Sequence, residues 1–190
     1  VRDTAEANDQ FGRALAAQSP VGANRLLFNP SLGGGTTLDS SRNIRGAYLG
    51  LDLRHTQADL IRAAMEGIAL GLRRVLDVLR ELTPLADEML LVGGGSRSAL
   101  WRQICADVYN MTIVKTNIDQ EAAALGAAAV AAVGTGLWPD FDRIDAIHKV
   151  EQITHPIAQN VMIYERLLPI FTKAAHYQAE LGDMLASLDI

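Results

Sequence analysis

The sequence predicts a mixed α/β fold, and three observations carry that prediction. From residue 88 onward, strand-like and helix-like segments alternate through a run of glycines. From Leu60 to Leu79, apolar residues recur at helical spacing, and between Arg45 and Leu53 they alternate with a period of two. Strand–helix–strand alternation implies parallel strands joined by crossover helices. With 190 residues, 49% hydrophobic and 21% charged, the chain has ample material for a globular core.

Taken in order, residues 2–18 read as a helix, with Asp3 and Glu6 spaced like a capping pair ahead of Phe11 and Leu15. Pro20 and Gly22 close it, and residues 25–28 form a short apolar run that ends at the Asn29-Pro30 turn signal, expected as a short strand. Gly33 to Thr37 is a permissive loop. Residues 45–53 read as a strand with Ala47, Leu49, Leu51 and Leu53 on one face, expected to lie near the first. Thr56 and Asp59 resemble a capping box, after which Leu60, Ile61, Ala64, Met65, Ile68, Leu72, Val75, Leu76 and Leu79 mark the apolar stripe of a long helix. Thr83-Pro84 stops it, because proline lacks the backbone donor and biases the preceding residue away from helix.

The second half reads as strand 89–92, glycine loop 93–95, helix 98–109, strand 112–116 and an alanine-dominated helix 120–133. Gly134, Gly136 and Pro139 end this region. A short helical segment over 142–148 leads to a mixed stretch around 152–156, and Asn160 is the expected cap of a final helix through about residue 185, with Tyr164, Leu167, Leu168, Phe171 and Ala175 as its stripe. No repeat or low-complexity linker interrupts the chain, so one domain is the simplest expectation.

Composition narrows the function. Lys and Arg number 17 against 22 Asp and Glu, a formal charge of -5, which provides no general pull toward nucleic acid or anionic membranes. Any phosphate is therefore captured locally. Cys105 is the single cysteine and falls on the apolar face of helix 98–109, so it reads as a small buried hydrophobe and the setting as reducing. No apolar run reaches bilayer length and the first residues lack the regions of a signal peptide, so a soluble, cytoplasmic protein is expected. His55, His148, His155 and His176 show no metal-ligand spacing and read as surface or packing residues. A helix beginning at Arg2, directly after Val1, reads as a piece of something longer.

The sharpest local feature is Leu90-Leu91-Val92-Gly93-Gly94-Gly95-Ser96-Arg97-Ser98, a buried-type strand that runs through three glycines into a helix. Glycine lets the backbone approach a base or phosphate closely, and amides at a helix start attract anions. A plain tight turn between strand and helix accounts for the same residues. No Lys-Ser or Lys-Thr follows at Walker A spacing. The dinucleotide fingerprint fails at Ser98, and the next strand ends in Lys115-Thr116 where an acidic ribose ligand belongs. Among the acidic residues, Glu66 can pair with Arg62 one turn away, Asp59 caps a helix and Glu121 opens one.

Gly46-Ala47-Tyr48-Leu49-Gly50-Leu51, followed by Asp59-Leu60 and Ala63-Ala64-Met65-Glu66, resembles the second signature of FGGY carbohydrate kinases. Gly93 to Ser98 with Leu100-Trp101-Arg102-Gln103-Ile104, then Glu121 to Ala128, then the helix from Tyr164 resemble the same family in the same order, with xylulokinase-like members nearest. The resemblance implies an RNase H-like domain of the actin-like ATPase superfamily, incomplete here, with a mixed sheet flanked by helices. It makes the chain the distal part of the C-terminal nucleotide-binding domain, without the N-terminal sugar-binding domain. It also implies ATP and Mg2+ as cofactors, a sugar or polyol such as a pentulose as substrate, the missing N-terminal part as partner and a homodimer as an option.

By motif position, Gly94, Gly95, Ser96 and Ala99 fall where relatives contact the adenosine, with Ser98 as a neighbour. The catalytic base, first phosphate loop and sugar contacts precede the chain in relatives, so no catalytic residue is assigned, and the segment alone is expected to be inactive. Gly33 to Asp39 departs from the acidic, proline-containing version of xylulokinases, which sets xylulose itself in question. A non-catalytic adenine-nucleotide-binding module and a dinucleotide-binding module are the alternatives.

Overall fold

The computed structural model describes residues 12–118 and 121–188. Residues 12–16 are helical; the Asp3/Glu6 capping pair lies outside the described residues. The elements that follow are strands β1 (Leu27–Asn29) and β2 (Ala47–Leu49), helix α1 (Gln57–Leu82), strand β3 (Glu88–Leu90), helix α2 (Ala99–Tyr109), strand β4 (Thr112–Thr116), helices α3 (Ala122–Gly134) and α4 (Arg143–Ile147), strand β5 (Val150–Thr154) and helix α5 (Ala158–Ala186). Among the described residues they fall into two compact units, one of residues 12–85, 107–109 and 157–188, the other of residues 86–106, 110–118 and 121–156. Among the described residues, no helix is long and apolar enough to cross a membrane.

In the first unit, β1 and β2 pair antiparallel with Phe28 opposite Tyr48, whose rings lie 4.6 Å apart. The strand expected over 45–53 stops after Leu49. Gly50 takes a left-handed φ of 84°, which breaks the extended run, and Leu51 and Leu53 end up exposed instead of sharing a buried face. Thr56 and Asp59 do form the capping box of α1, and Thr83 ends the helix before Pro84. Asp59 is buried and accepts from Ser19 Oγ at 2.7 Å, Asn24 Nδ2 at 2.8 Å, and the amide and hydroxyl of Thr56.

These donors, led by the Ser19 hydroxyl and followed by the Thr56 amide, hold the Asp59 carboxyl down at about 2. A carboxyl lowered by folding stabilises the native state above the ordinary Asp value and loses that contribution as pH falls through the lowered one. Stability of the unaltered protein is therefore expected to fall between about pH 4 and pH 2. Asp59→Asn should be less stable at neutral pH and show a flatter acid limb, as read from thermal midpoints across that window. An unchanged acid limb in the variant would rule the cap out as its source.

The buried face of α1 is not its apolar stripe. Ile68, Leu72, Val75 and Leu79 are exposed, whereas Arg62, Glu66 and Arg73 are buried beside Ala63, Ala69, Leu70 and Leu76. Glu66 Oε1 accepts from Arg62 Nε at 2.6 Å, Tyr164 Oη at 2.8 Å and the Gly22 amide at 3.1 Å. Burial, joined by the neighbouring Glu66 carboxylate, raises the Tyr164 phenol above its ordinary range, which keeps it a donor. Gly22 leads four consecutive residues at positive φ, from 44° to 81°, and Ala23 from this stretch packs on Ala63 together with Leu26, which follows it. Arg73 reaches Asp77, Glu165 and the carbonyl of Val108, and Arg80 takes the carbonyl of Tyr109, so two arginines cover the C-terminal carbonyls of α2.

Helix α5 starts at Ala158 without the expected Asn160 cap. The N-cap position falls on Ile157, whose amide donates to Asp107 at 2.7 Å, and Asn160, already inside the first turn, donates from Nδ2 to the same carboxylate at 2.8 Å. Tyr164, Phe171 and Ala175 are buried as the stripe predicts. Pro169 lies inside this helix. Beyond it, Gln178 accepts from Asn29 Nδ2 at 2.6 Å, and Asp183 accepts from Ser41 and Asn43.

The second unit is a three-stranded sheet in the order β3-β4-β5. β3 and β4 are parallel, Glu88 opposite Thr112, as expected for strands joined by α2. β5 pairs antiparallel with β4 where a mixed stretch was expected. Its residues are mostly exposed, so the apolar alternation that betrays a strand is weak there. Cys105 in α2 is fully buried, and helix α3 begins at Ala122 behind Glu121. His155 lies 3.2 Å from Thr112 Oγ1 and His148 lies 3.1 Å from Thr116 Oγ1.

Candidate functional site: the glycine turn after β3

The site begins where β3 runs out. The Leu91 amide still donates to Val114 at 2.9 Å, and Gly93 then takes φ 85° and ψ -180°, a conformation reserved for glycine. A single 3-10 turn follows, Gly94–Arg97, closed by the Ser96 amide on the Gly93 carbonyl at 3.0 Å and the Ser98 amide on the Gly95 carbonyl at 3.1 Å. The Ser96 hydroxyl donates to the same Gly93 carbonyl at 2.7 Å. Ser98 ends this turn and caps α2, its Oγ accepting the Trp101 amide at 3.2 Å.

The five residues expected at a nucleotide thus form one turn, but they divide by exposure. Gly94, Gly95 and Ala99 are exposed and can be approached from outside. Ser96 and Ser98 are buried; the Ser96 hydroxyl closes the turn on Gly93 and the Ser98 hydroxyl caps α2. Two residues to which the sequence reading gave no role complete the site. The Trp101 ring lies against Gly95, where an added Cβ would meet its Cδ1 at 3.1 Å and Nε1 at 3.2 Å. Arg102 is buried and donates from Nη1 to the Ser96 carbonyl. The available signal was their place as third and fourth residues of a helix opened by a serine cap, which sets them beneath the turn they follow.

At the end of β4, Lys115 pairs with Glu151 at 2.5 Å and donates to the Thr116 carbonyl. The position at which a dinucleotide fold presents an acid is here a buried, paired cation. Among the described residues, no three His, Cys, Asp or Glu side chains gather as a metal set.

A model of the FGGY family of carbohydrate kinases, C-terminal domain, matches residues 1–135. The chain belongs to the FGGY family of carbohydrate kinases. Xylulose kinase from Staphylococcus epidermidis (strain ATCC 12228) is 34% identical over 158 residues, covering 83% of this chain and 32% of that protein. Gluconokinase from Bacillus subtilis is 32% identical over 159 residues, covering 83% of this chain and 31% of its own. The crystal structure of ligand-bound xylulose kinase from Lactobacillus acidophilus matches with a TM-score of 0.75 at 28% identity, over 94% of this chain and 35% of that one. The chain therefore spans about a third of the length of the FGGY relatives it matches. Its fold class is that of these kinases, the RNase H-like, actin-like ATPase type expected from the signature at Gly46 to Glu66.

Proposed function

We propose that this chain is the distal part of the C-terminal, nucleotide-binding domain of a cytoplasmic sugar kinase, and that its glycine turn grips the adenosine of ATP. The complete enzyme transfers the γ-phosphate to a hydroxyl of a sugar or polyol, with a pentulose such as xylulose as the first candidate. The observation that carries this reading is the turn itself. Gly94 and Gly95 expose backbone without side chains at the end of a parallel strand, Ala99 opens the following helix beside them, and the serines that shape the turn keep their hydroxyls inward. Open crevices at the carboxyl ends of parallel strands are where α/β folds take nucleotides.

Phosphoryl transfer requires positioning, charge stabilisation and a base that orients the acceptor hydroxyl. The residues of this chain account for the first of these alone. The base, the sugar contacts and the ligands of the Mg2+ that accompanies ATP belong to the remaining two-thirds of the enzyme, which is also its closest partner; a homodimer is compatible with this arrangement. Names among the relatives are divided between xylulose and gluconate, and residues 33–39 lack the acidic version typical of xylulokinases, so a screen of ketoses, polyols and sugar acids on the full-length enzyme decides the acceptor.

Gly95→Val sets a branched side chain against the Trp101 ring at one of the two exposed glycines of the turn. In the full-length enzyme it is expected to raise the KM for ATP by roughly tenfold to a hundredfold, with the KM for the sugar within about twofold of the parent. Steady-state kinetics with each substrate varied in turn make the test, and an unchanged ATP dependence refutes the assignment.

A further inference from the structure

Arg102 is 6% exposed, yet its Nε–H meets no acceptor among the described residues. Its one hydrogen bond is from Nη1 to the carbonyl of Ser96, and it makes no ion pair among the described residues. A buried cation with an orphaned donor and no carboxylate costs free energy, and a well-packed apolar side chain of similar length carries no such penalty. Burial accordingly lowers the guanidinium from its ordinary value, though an arginine stays charged. Stability of the fold is therefore not what Arg102 supplies. What it does supply is a fixed position for one carbonyl in the middle of the 3-10 turn.

That carbonyl matters because of its neighbours. Ser96 is fully buried and tied to Gly93 through both its amide and its hydroxyl. Gly94 and Gly95, between those two anchors, have no side chains to restrict them, so their conformation depends on what is held on either side. Trp101 confines Gly95 from one face. Arg102 pins the residue that follows.

We propose that Arg102 is a positioning residue of the nucleotide site, fixing the exposed backbone of Gly94 and Gly95 through the Ser96 carbonyl in the form that accepts adenosine. This rests on the nucleotide reading of the turn. Arg102 itself stays beneath the turn, so its effect belongs to ATP and not to the sugar.

The test uses the full-length enzyme with Arg102→Met and Arg102→Lys, each measured for ATP KM, sugar KM, thermal midpoint and amide exchange of residues 94–98. Arg102→Met is expected to raise the ATP KM about tenfold, the loss typical of a hydrogen bond from a charged donor, to speed exchange in the turn, and to leave the sugar KM and the midpoint in place. Arg102→Lys, whose ammonium can still donate to Ser96, is expected to recover most of the ATP KM. If Arg102→Met keeps the parental ATP KM while Gly95→Val raises it, the positioning role is wrong and the nucleotide reading stands. If neither variant moves the ATP KM, both fail. A fall in midpoint with ATP and sugar constants worsening together makes the residue merely structural and overturns the proposal. In a variant too unstable for kinetics, unaltered exchange at residues 94–98 overturns it as well.

Discussion

Glu66→Ala is expected to lower the free energy of unfolding by about 3–5 kcal/mol, the cost of stranding a buried charge by removing its partner. Three donors lose their acceptor at once: Arg62, the Tyr164 phenol and the Gly22 amide. Arg62 is left as an unpaired cation at 6% exposure. The loss also reaches the backbone, because Gly22 leads a run of left-handed residues that includes Ala23, Asn24 and Arg25, none of them glycine. Urea unfolding of the parent, Glu66→Ala and the double variant Arg62→Met/Glu66→Leu makes the measurement. The double variant should recover much of the loss, since no charge remains buried. A single variant as stable as the parent would show that the cluster is not closed in solution.

Gly67→Val should be comparably damaging for a different reason. A Cβ at Gly67 would lie 1.9 Å from the carbonyl oxygen of Phe28 in β1, and that neighbour is backbone, which cannot turn aside as a side chain can. The loss expected is about 3 kcal/mol or more, at the upper end of overpacking effects. One turn along the same helix, a Cβ at Gly71 meets Pro30 at an ordinary 3.6 Å. Gly71→Ala should thus be neutral or stabilise by up to about 1 kcal/mol through helix propensity. Denaturation midpoints of the two variants, side by side, separate close approach from propensity. Equal effects of either sign would contradict the packing of α1 on β1.

Much of the fold was legible because local chemistry agreed with it. The Thr56/Asp59 box and the Thr83-Pro84 stop bound α1, the glycine run separates β3 from α2, and β4 has the limits read from the sequence. The buried side of α1 was not legible, because apolar spacing assumes that charges face water. Arg62 and Arg73 are inside only because Tyr164, Glu165 and the Val108 carbonyl, far along the chain, come to meet them. The Arg62–Glu66 pair itself could be read from its spacing of four, but its burial could not. Similarly, Asn160 is a residue type suited to a cap, but the arrival of Asp107 at the Ile157 amide lets the helix start at Ala158, which leaves Asn160 inside the first turn. In the candidate site the glycines were visible as a motif. The inward use of Ser96 and Ser98 and the support from Trp101 and Arg102 needed the turn itself.

Pro169 has a mechanical consequence for α5. Without its own amide it cannot bond to the carbonyl one turn earlier, so the rungs of this long helix are interrupted partway. The stretch before the break is pinned through Asn160 and Tyr164, and the stretch after it through Gln178 and Asp183. Each half therefore has its own moorings, the distal one also through Ala175 and Ala179 packed on Ile44, so the missing rung sets neither end of the helix loose.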